Sequence, residues 1–219
     1  MSERTQLLQL LSWLSPAFPV GAFAYSHGLE QAIHDGVVAV RAELIDWLTD
    51  LVERGSGWND AVLLAEAWRT ADSDGGAGVA ELAAAMAGSR ERHMETTLQG
   101  EAFTEAVRTW TPIRERSEPQ EFPYPVAVGL AAARGGVGLD AALVAYLHAF
   151  TSNMVQAAVR LVPLGQSDGV ATLAAMESVI LDRAARASVS TLDDIGSCTV
   201  LSDIASMKHE TLYSRVFRS

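Results

Sequence analysis

The sequence predicts an all-α fold, a single compact bundle-like domain of about ten helices. Three observations predict it. Apolar residues recur at three- and four-residue intervals along almost every long segment, the period of a helix with one buried face. The one extended candidate, Val37-Val38-Ala39-Val40, has no alternating partner run elsewhere, so it reads as a connector rather than a strand. Small residues are frequent along the periodic segments and allow helices to approach closely.

Taken in order, Ser2 is placed to cap a first helix whose Leu7, Leu8, Leu10, Leu11 and Leu14 give it an apolar side, ended by Pro16 and Pro19. After the loop SPAFPVG, residues 21–35 predict a second helix with Tyr25, Leu29, Ala32 and Ile33 inward and Gly36 as the stop. Trp13, Phe18, Phe23 and Tyr25 around that loop read as core. Residues 41–54 and 59–71 are amphipathic helices, carried by Leu44, Trp47, Leu48 and Leu51 and by Val62, Leu63, Ala67 and Trp68. ADSDGGAGV reads as a flexible break. Residues 80–111 form a long alanine-rich, charged segment that Gly88 and Gly100 can kink or divide.

TPIRERSEPQEFPYP, with Pro112, Pro119, Pro123 and Pro125, predicts an exposed loop. A short helix over 125–134 stops at Gly135 and Gly136. It leads into residues 140–162, where Leu143, Leu147, Phe150, Met154, Val155 and Ala158 cover more than one face, as in a central helix packed on several sides. Along it, His148, Ser152, Gln156 and Arg160 recur every fourth residue as one polar stripe. These are either satisfied core polars or the lining of a wet channel or partner surface. Arg160 on so apolar a helix must be paired, hydrogen-bonded or presented at an interface. Ser167 or Asp168 is placed to cap the next helix, 169–187, with Leu173, Met176, Ile180 and Leu181 at helical spacing, and Thr191 with Asp194 marks a further cap.

The chain has 219 residues, 49% of them hydrophobic, and a formal charge of -11, which makes a nucleic-acid backbone a poor partner. Its only lysine is Lys208, so no Walker-type phosphate lysine precedes it, and no cofactor motif is found. The single cysteine, Cys198, cannot close an internal disulfide and fits a reducing compartment. The start MSERTQLLQL lacks the features of a signal peptide, and polar residues interrupt the central helix too often for a membrane span. A cytoplasmic protein without membrane attachment is expected. Residues 206–219 hold three basic residues and one acid, a balance of +2, so residues 1–205 carry -13. Two parts follow: a helical domain over 1–205 and a basic tail over 206–219. The tail mixes Tyr213, Arg215, Phe217 and Arg218, the composition of an interface, although a frayed terminus has the same content.

Several clusters invite chemistry. His27, Glu30 and His34 would share one face of the second helix and offer donors to a metal. AYSHG is a faint version of the hydrolase elbow, with Ser26 as nucleophile, but a proline-broken loop stands where the motif needs a strand. His209 and Glu210 begin like H-E-x-x-H, yet the fifth residue is Tyr213. SRERHME around His93 reads as a solvated face, with Glu91 and Glu95 repelling and Arg92 relieving them.

Five blocks in order, WLSPAFPVGAFAYSHGLE, SRERHMETTLQGEAF, YPVAVGLAAA, AFTSNMVQAAVRLVPLGQSDG and DIASMKHETLYSRVFRS, resemble the UreF family of urease accessory proteins. The resemblance runs from the first helix to the last residue. It implies an all-helical, cytoplasmic, non-enzymatic chaperone without cofactor, catalytic residue or resident metal. It also implies a homodimer that binds the accessory protein UreD (also called UreH) and the nickel-carrying GTPase UreG, the assembly delivering nickel to apo-urease. Carried over residue by residue, it assigns partner binding to Tyr25, His27 and Glu30, to Arg160, Gln166 and Asp168, and to His209, Glu210, Tyr213, Arg215, Phe217 and Arg218. The alternative is a helical metal-dependent or serine hydrolase built on His27, Glu30 and His34 or on Ser26.

Overall fold

In a chain with no strand to offer, apolar faces at helical spacing are covered by other helices, and in the computed structural model the elements are all helices among the described residues, 2–73, 75–110, 121–196 and 199–218. The α-helices are α1 (Glu3–Trp13), α2 (Leu29–His34), α3 (Arg41–Arg54), α4 (Ser56–Arg69), α5 (Gly75–Ala85), α6 (Arg90–Val107), α7 (Tyr124–Arg134), α8 (Leu139–Leu161), α9 (Gln166–Ala187) and α10 (Val200–His209). Single 3-10 turns lie at Ala22–Ala24 and Leu192–Asp194. None of these helices is long and apolar enough to cross a membrane. Cys198 and residues 111–120 of the proline-rich loop lie outside the described residues.

The core is one continuous apolar cluster. α4 packs on α7, α8 on α9, α6 on α7 and α3 on α9, and α8 also meets α2, α3, α4 and α7. Leu143, Leu147, Met154, Val155 and Ala158 of α8 are fully or almost fully covered, as the central-helix reading requires. An aromatic chain closes one end: Trp13 meets Phe103 edge-on, and Phe103 meets Tyr124, which meets Tyr146.

Several expectations need correction. The helix predicted over 21–35 is α-helical only at α2, with a 3-10 turn at Ala22–Ala24 before it, because Gly28 takes a left-handed backbone (φ 77°) and His27 does so as well (φ 51°). A Cβ on Gly28 would stand 2.7 Å from the Ser206 backbone nitrogen, so its absence is what lets α10 lie on α2. Leu7, Leu8 and Leu11 of α1 face outward, while Leu10 and Trp13 are buried. Phe23 is also exposed. Helix α5 begins inside the glycine run at Gly75, so the break is shorter than the composition implies.

The long segment 80–111 divides near Gly88, as one option held, but α6 runs through Gly100 without interruption. A methyl group there would overlap the Phe122 carbonyl, so this glycine serves close approach rather than a kink. Helix α9 starts from Gly165, whose N–H is accepted by Asp168 from within the first turn (3.3 Å), and neither Ser167 nor Asp168 is the cap residue. Thr191 and Asp194 bond reciprocally as expected.

Candidate functional site

Only part of the charged run around His93 on α6 faces water: Arg90 and His93 are exposed, while its carboxylates are not. Glu91 and Glu95 sit one helical turn apart and are both buried, with Thr96, Gln99 and Gly100 on the same face. Opposite them runs the segment 27–30, which supplies His27 and Glu30. Two rungs connect the two elements. In the inner rung, His27 Nε2 lies 2.9 Å from Glu95 Oε1, and its Nδ1 lies 3.2 Å from the Ser56 hydroxyl. Arg92 extends this rung, with NH1 at 2.8 Å from Glu95 Oε2 and NH2 at 3.5 Å from Asp60 Oδ2, and Tyr146 donates to Asp60 Oδ2 at 3.0 Å.

Burial pushes the Glu95 carboxyl up, but the charges of His27 and Arg92 and their hydrogen bonds outweigh it and hold it down at about 2. Burial also raises Asp60, and there Arg92, His27 and Tyr146 offset it only in part. The two carboxyls are thus driven apart by their surroundings. A cavity of about 230 Å³, lined by His27, Ser56, Asp60, Arg92 and Ser206 together with apolar residues such as Leu63 and Met86, opens beside this rung toward α10.

In the outer rung His209 is fully buried between two carboxylates, with Nδ1 2.8 Å from Glu91 Oε2 and Nε2 3.0 Å from Glu30 Oε2. The segment after α10 turns back onto the same carboxylates. Val216 and Phe217 donate their backbone N–H groups to Glu30 at 2.7 and 2.9 Å, Arg215 donates to Glu91 Oε1 at 2.6 Å, and Arg218 N–H reaches the Ala24 carbonyl at 2.7 Å. Glu210 accepts from the first N–H of α6, Arg90, at 2.9 Å. The terminal segment is therefore folded against the body rather than frayed.

This places each expected site residue. Phe217 and His209 point inward and Arg215 is half tied to Glu91, whereas Tyr213 is fully exposed and Val216 largely so. Tyr25 is buried and hydrogen-bonds Arg218; burial and Glu95 raise its hydroxyl, against the lowering effect of Arg218. The stripe on α8 faces out: His148, Gln156 and Arg160 are exposed and Ser152 half-buried, so these are not core polars. Arg160 donates to the Phe23 carbonyl at 3.5 Å. Gln166 is exposed, and Asp168 pairs with Arg41 at 3.2 Å besides holding the start of α9.

The hydrolase alternative is overturned by the same geometry. His27, Glu30 and His34 do not share a face: His27 pairs with Glu95, Glu30 with His209, and His34 is exposed. Among the described residues, no group of three or more His, Cys, Asp or Glu is placed to hold a metal ion. Ser26 is fully buried and accepts the Glu30 N–H at 3.3 Å, while the His27 ring is engaged with Ser56 and Glu95. An inaccessible hydroxyl is no nucleophile.

Sequence reasoning missed Asp60, Glu91, Arg92, Glu95 and Tyr146. The signal was present in the spacing of Glu91, Glu95, Gln99 and Phe103, which is the period of a buried face written in polar residues. It also missed the outer face of α10, where Val200, Leu201, Ile204 and Met207 are exposed beside the terminal segment.

Residues 38–177 match the family model for UreF. The urease accessory protein UreF of Mesorhizobium japonicum is 57% identical over 215 residues, covering 97% of this chain and 96% of the relative. Urease accessory protein UreF 1 of Brucella anthropi is 55% identical over 216 residues, covering 98% and 95%, and that of Brucella canis is 56% identical over the same shares.

Proposed function

The chain belongs to the UreF family of urease accessory proteins, which are not enzymes, and on that premise we propose that it acts as an adaptor in nickel insertion. It bridges a UreD/UreH-type partner and a UreG-type GTPase as a homodimer in the cytoplasm, and the assembly delivers nickel to apo-urease. The observation that carries the reading is the C-terminal surface. Val200, Leu201, Ile204 and Met207 on α10, and Tyr213 and Val216 after it, are exposed, and the outer rung holds in place the segment that carries the last two. A fixed segment loses less conformational entropy on docking than a free one.

On this reading the tail residues have different tasks. Tyr213 and Val216 make contact with the UreD/UreH-type partner, while His209, Glu30, Phe217 and Arg218 hold the segment in the shape that presents them. Deleting residues 206–219 would also strip Glu30 and Glu91 of their buried partners, so a surface variant is the cleaner test. Tyr213→Ala with Leu201→Asp should leave the helical content and melting unchanged and abolish co-purification with the UreD/UreH-type partner. Undiminished co-purification would sink the assignment.

A further inference from the structure

We propose that Glu30, His209 and Glu91 form a proton-dependent latch that holds the C-terminal segment against the body. A neutral imidazole has one N–H and one bare nitrogen, and an ionised carboxylate only accepts. Both ring nitrogens of His209 nevertheless face carboxylate oxygens, at 2.8 and 3.0 Å, in a site with no solvent exposure. Each contact needs its own hydrogen, so the unit holds two protons where a neutral ring supplies one.

The remaining acceptors are already used. Glu30 Oε1 takes the Val216 N–H, Glu30 Oε2 also takes the Phe217 N–H, and Glu91 Oε1 takes Arg215. These are the charged groups that face the ring: Glu30 from α2, Glu91 from α6, and Arg215 from the terminal segment through Glu91. The flanking pair of Lys208 and Asp35, at 3.4 Å, and Glu210 on the Arg90 N–H lie at the rim and do not touch the ring.

Loss of the second proton sets two lone pairs against each other at hydrogen-bond distance around a fully buried ring. The ring then parts from one carboxylate, and the hydrogen bonds of the Val216 and Phe217 N–H groups to Glu30 loosen with it. The sign follows from the proton count. The latched state holds one proton more than a released state with a free neutral imidazole and ionised carboxylates. The latch therefore weakens as pH rises, by up to about tenfold per unit.

The test uses the full chain alone, so it stands or falls apart from any docking assignment. Amide exchange of Val216 and Phe217 is measured by NMR as pH is raised from mildly acidic to alkaline, and corrected for the intrinsic rates. Protection should fall up to about tenfold per unit, in step with the ring resonances of His209. In Glu91→Gln the side-chain amide can donate to the bare ring nitrogen, so protection should persist and its pH slope disappear. Flat protection in the native chain overturns the latch, as does a Glu91→Gln chain that keeps the native slope. The native titration decides the matter even if that variant does not fold.

Discussion

Replacing Arg92 with Met removes the cation of the inner rung while keeping most of its apolar volume. The side chain is 15% exposed and holds Glu95 at 2.8 Å and Asp60 at 3.5 Å. Breaking a buried ion pair by deleting one partner typically costs about 3–5 kcal/mol, because the other charge stays buried. Here Glu95 keeps His27 at 2.9 Å and Gln99 at 3.0 Å, and Asp60, already raised by burial, can take up a proton and keep Tyr146. The lower end is therefore expected, about 3 kcal/mol at neutral pH.

The pH dependence has a definite sign. Glu95 is depressed in the folded chain, from 4.5 to about 2, so its contribution is fully present above the unfolded value and fades as pH falls toward about 2. Arg92→Met lifts Glu95 and lifts Asp60 further, so the variant draws less stability from ionised carboxylates and gains relatively on acidification. Urea unfolding followed by far-UV circular dichroism should show the largest gap at neutral pH and a narrowing gap as pH drops below about 4.5. A gap under about 1 kcal/mol at neutral pH, or one indifferent to acid, would refute the claim that Arg92 stabilises this cluster electrostatically.

Two further outcomes are expected. Gly100→Ala should gain about 1 kcal/mol in helix propensity but lose more by driving a methyl into the Phe122 backbone, for a net cost of about 1–3 kcal/mol and a lowered melting temperature; a raised one contradicts the close-approach reading. Ser152→Leu with Gln156→Leu, on the outward stripe of α8, should change stability by less than about 0.5 kcal/mol yet reduce urease activation and shift the mass seen by light scattering if the stripe is the dimer seam. Native mass with normal activation argues against the seam.

Much of the helical framework is legible in the residues because local rules govern it. The bounds of α3 and α7 follow from apolar period and stop residues, and the Thr191–Asp194 cap follows from side chains that reach only their own neighbours. The errors cluster where distant chain intervenes. Residues 21–28 have helical spacing but form no α-helix, because α10 requires Gly28 where it is. The α1 leucines have the period of a buried face, yet only Leu10 and Trp13 meet the core.

The site divides along the same line. The five sequence blocks were enough to place the chain among urease accessory proteins, and the aromatic and arginine content of the tail left an interface and a frayed terminus as alternatives. Which of those side chains turn outward was decided by pairings 124 to 187 residues apart in the chain, between Arg215 and Glu91 and between Glu30 and the backbone of Val216 and Phe217. Periodicity reports which face of a helix is covered, but not whether a carboxylate on that face meets water or a partner brought from the far end of the chain. Glu91 and Glu95 look solvated in sequence because charge is costly to bury; only the tertiary fold supplies His209, Arg215, His27 and Arg92 to make that burial possible.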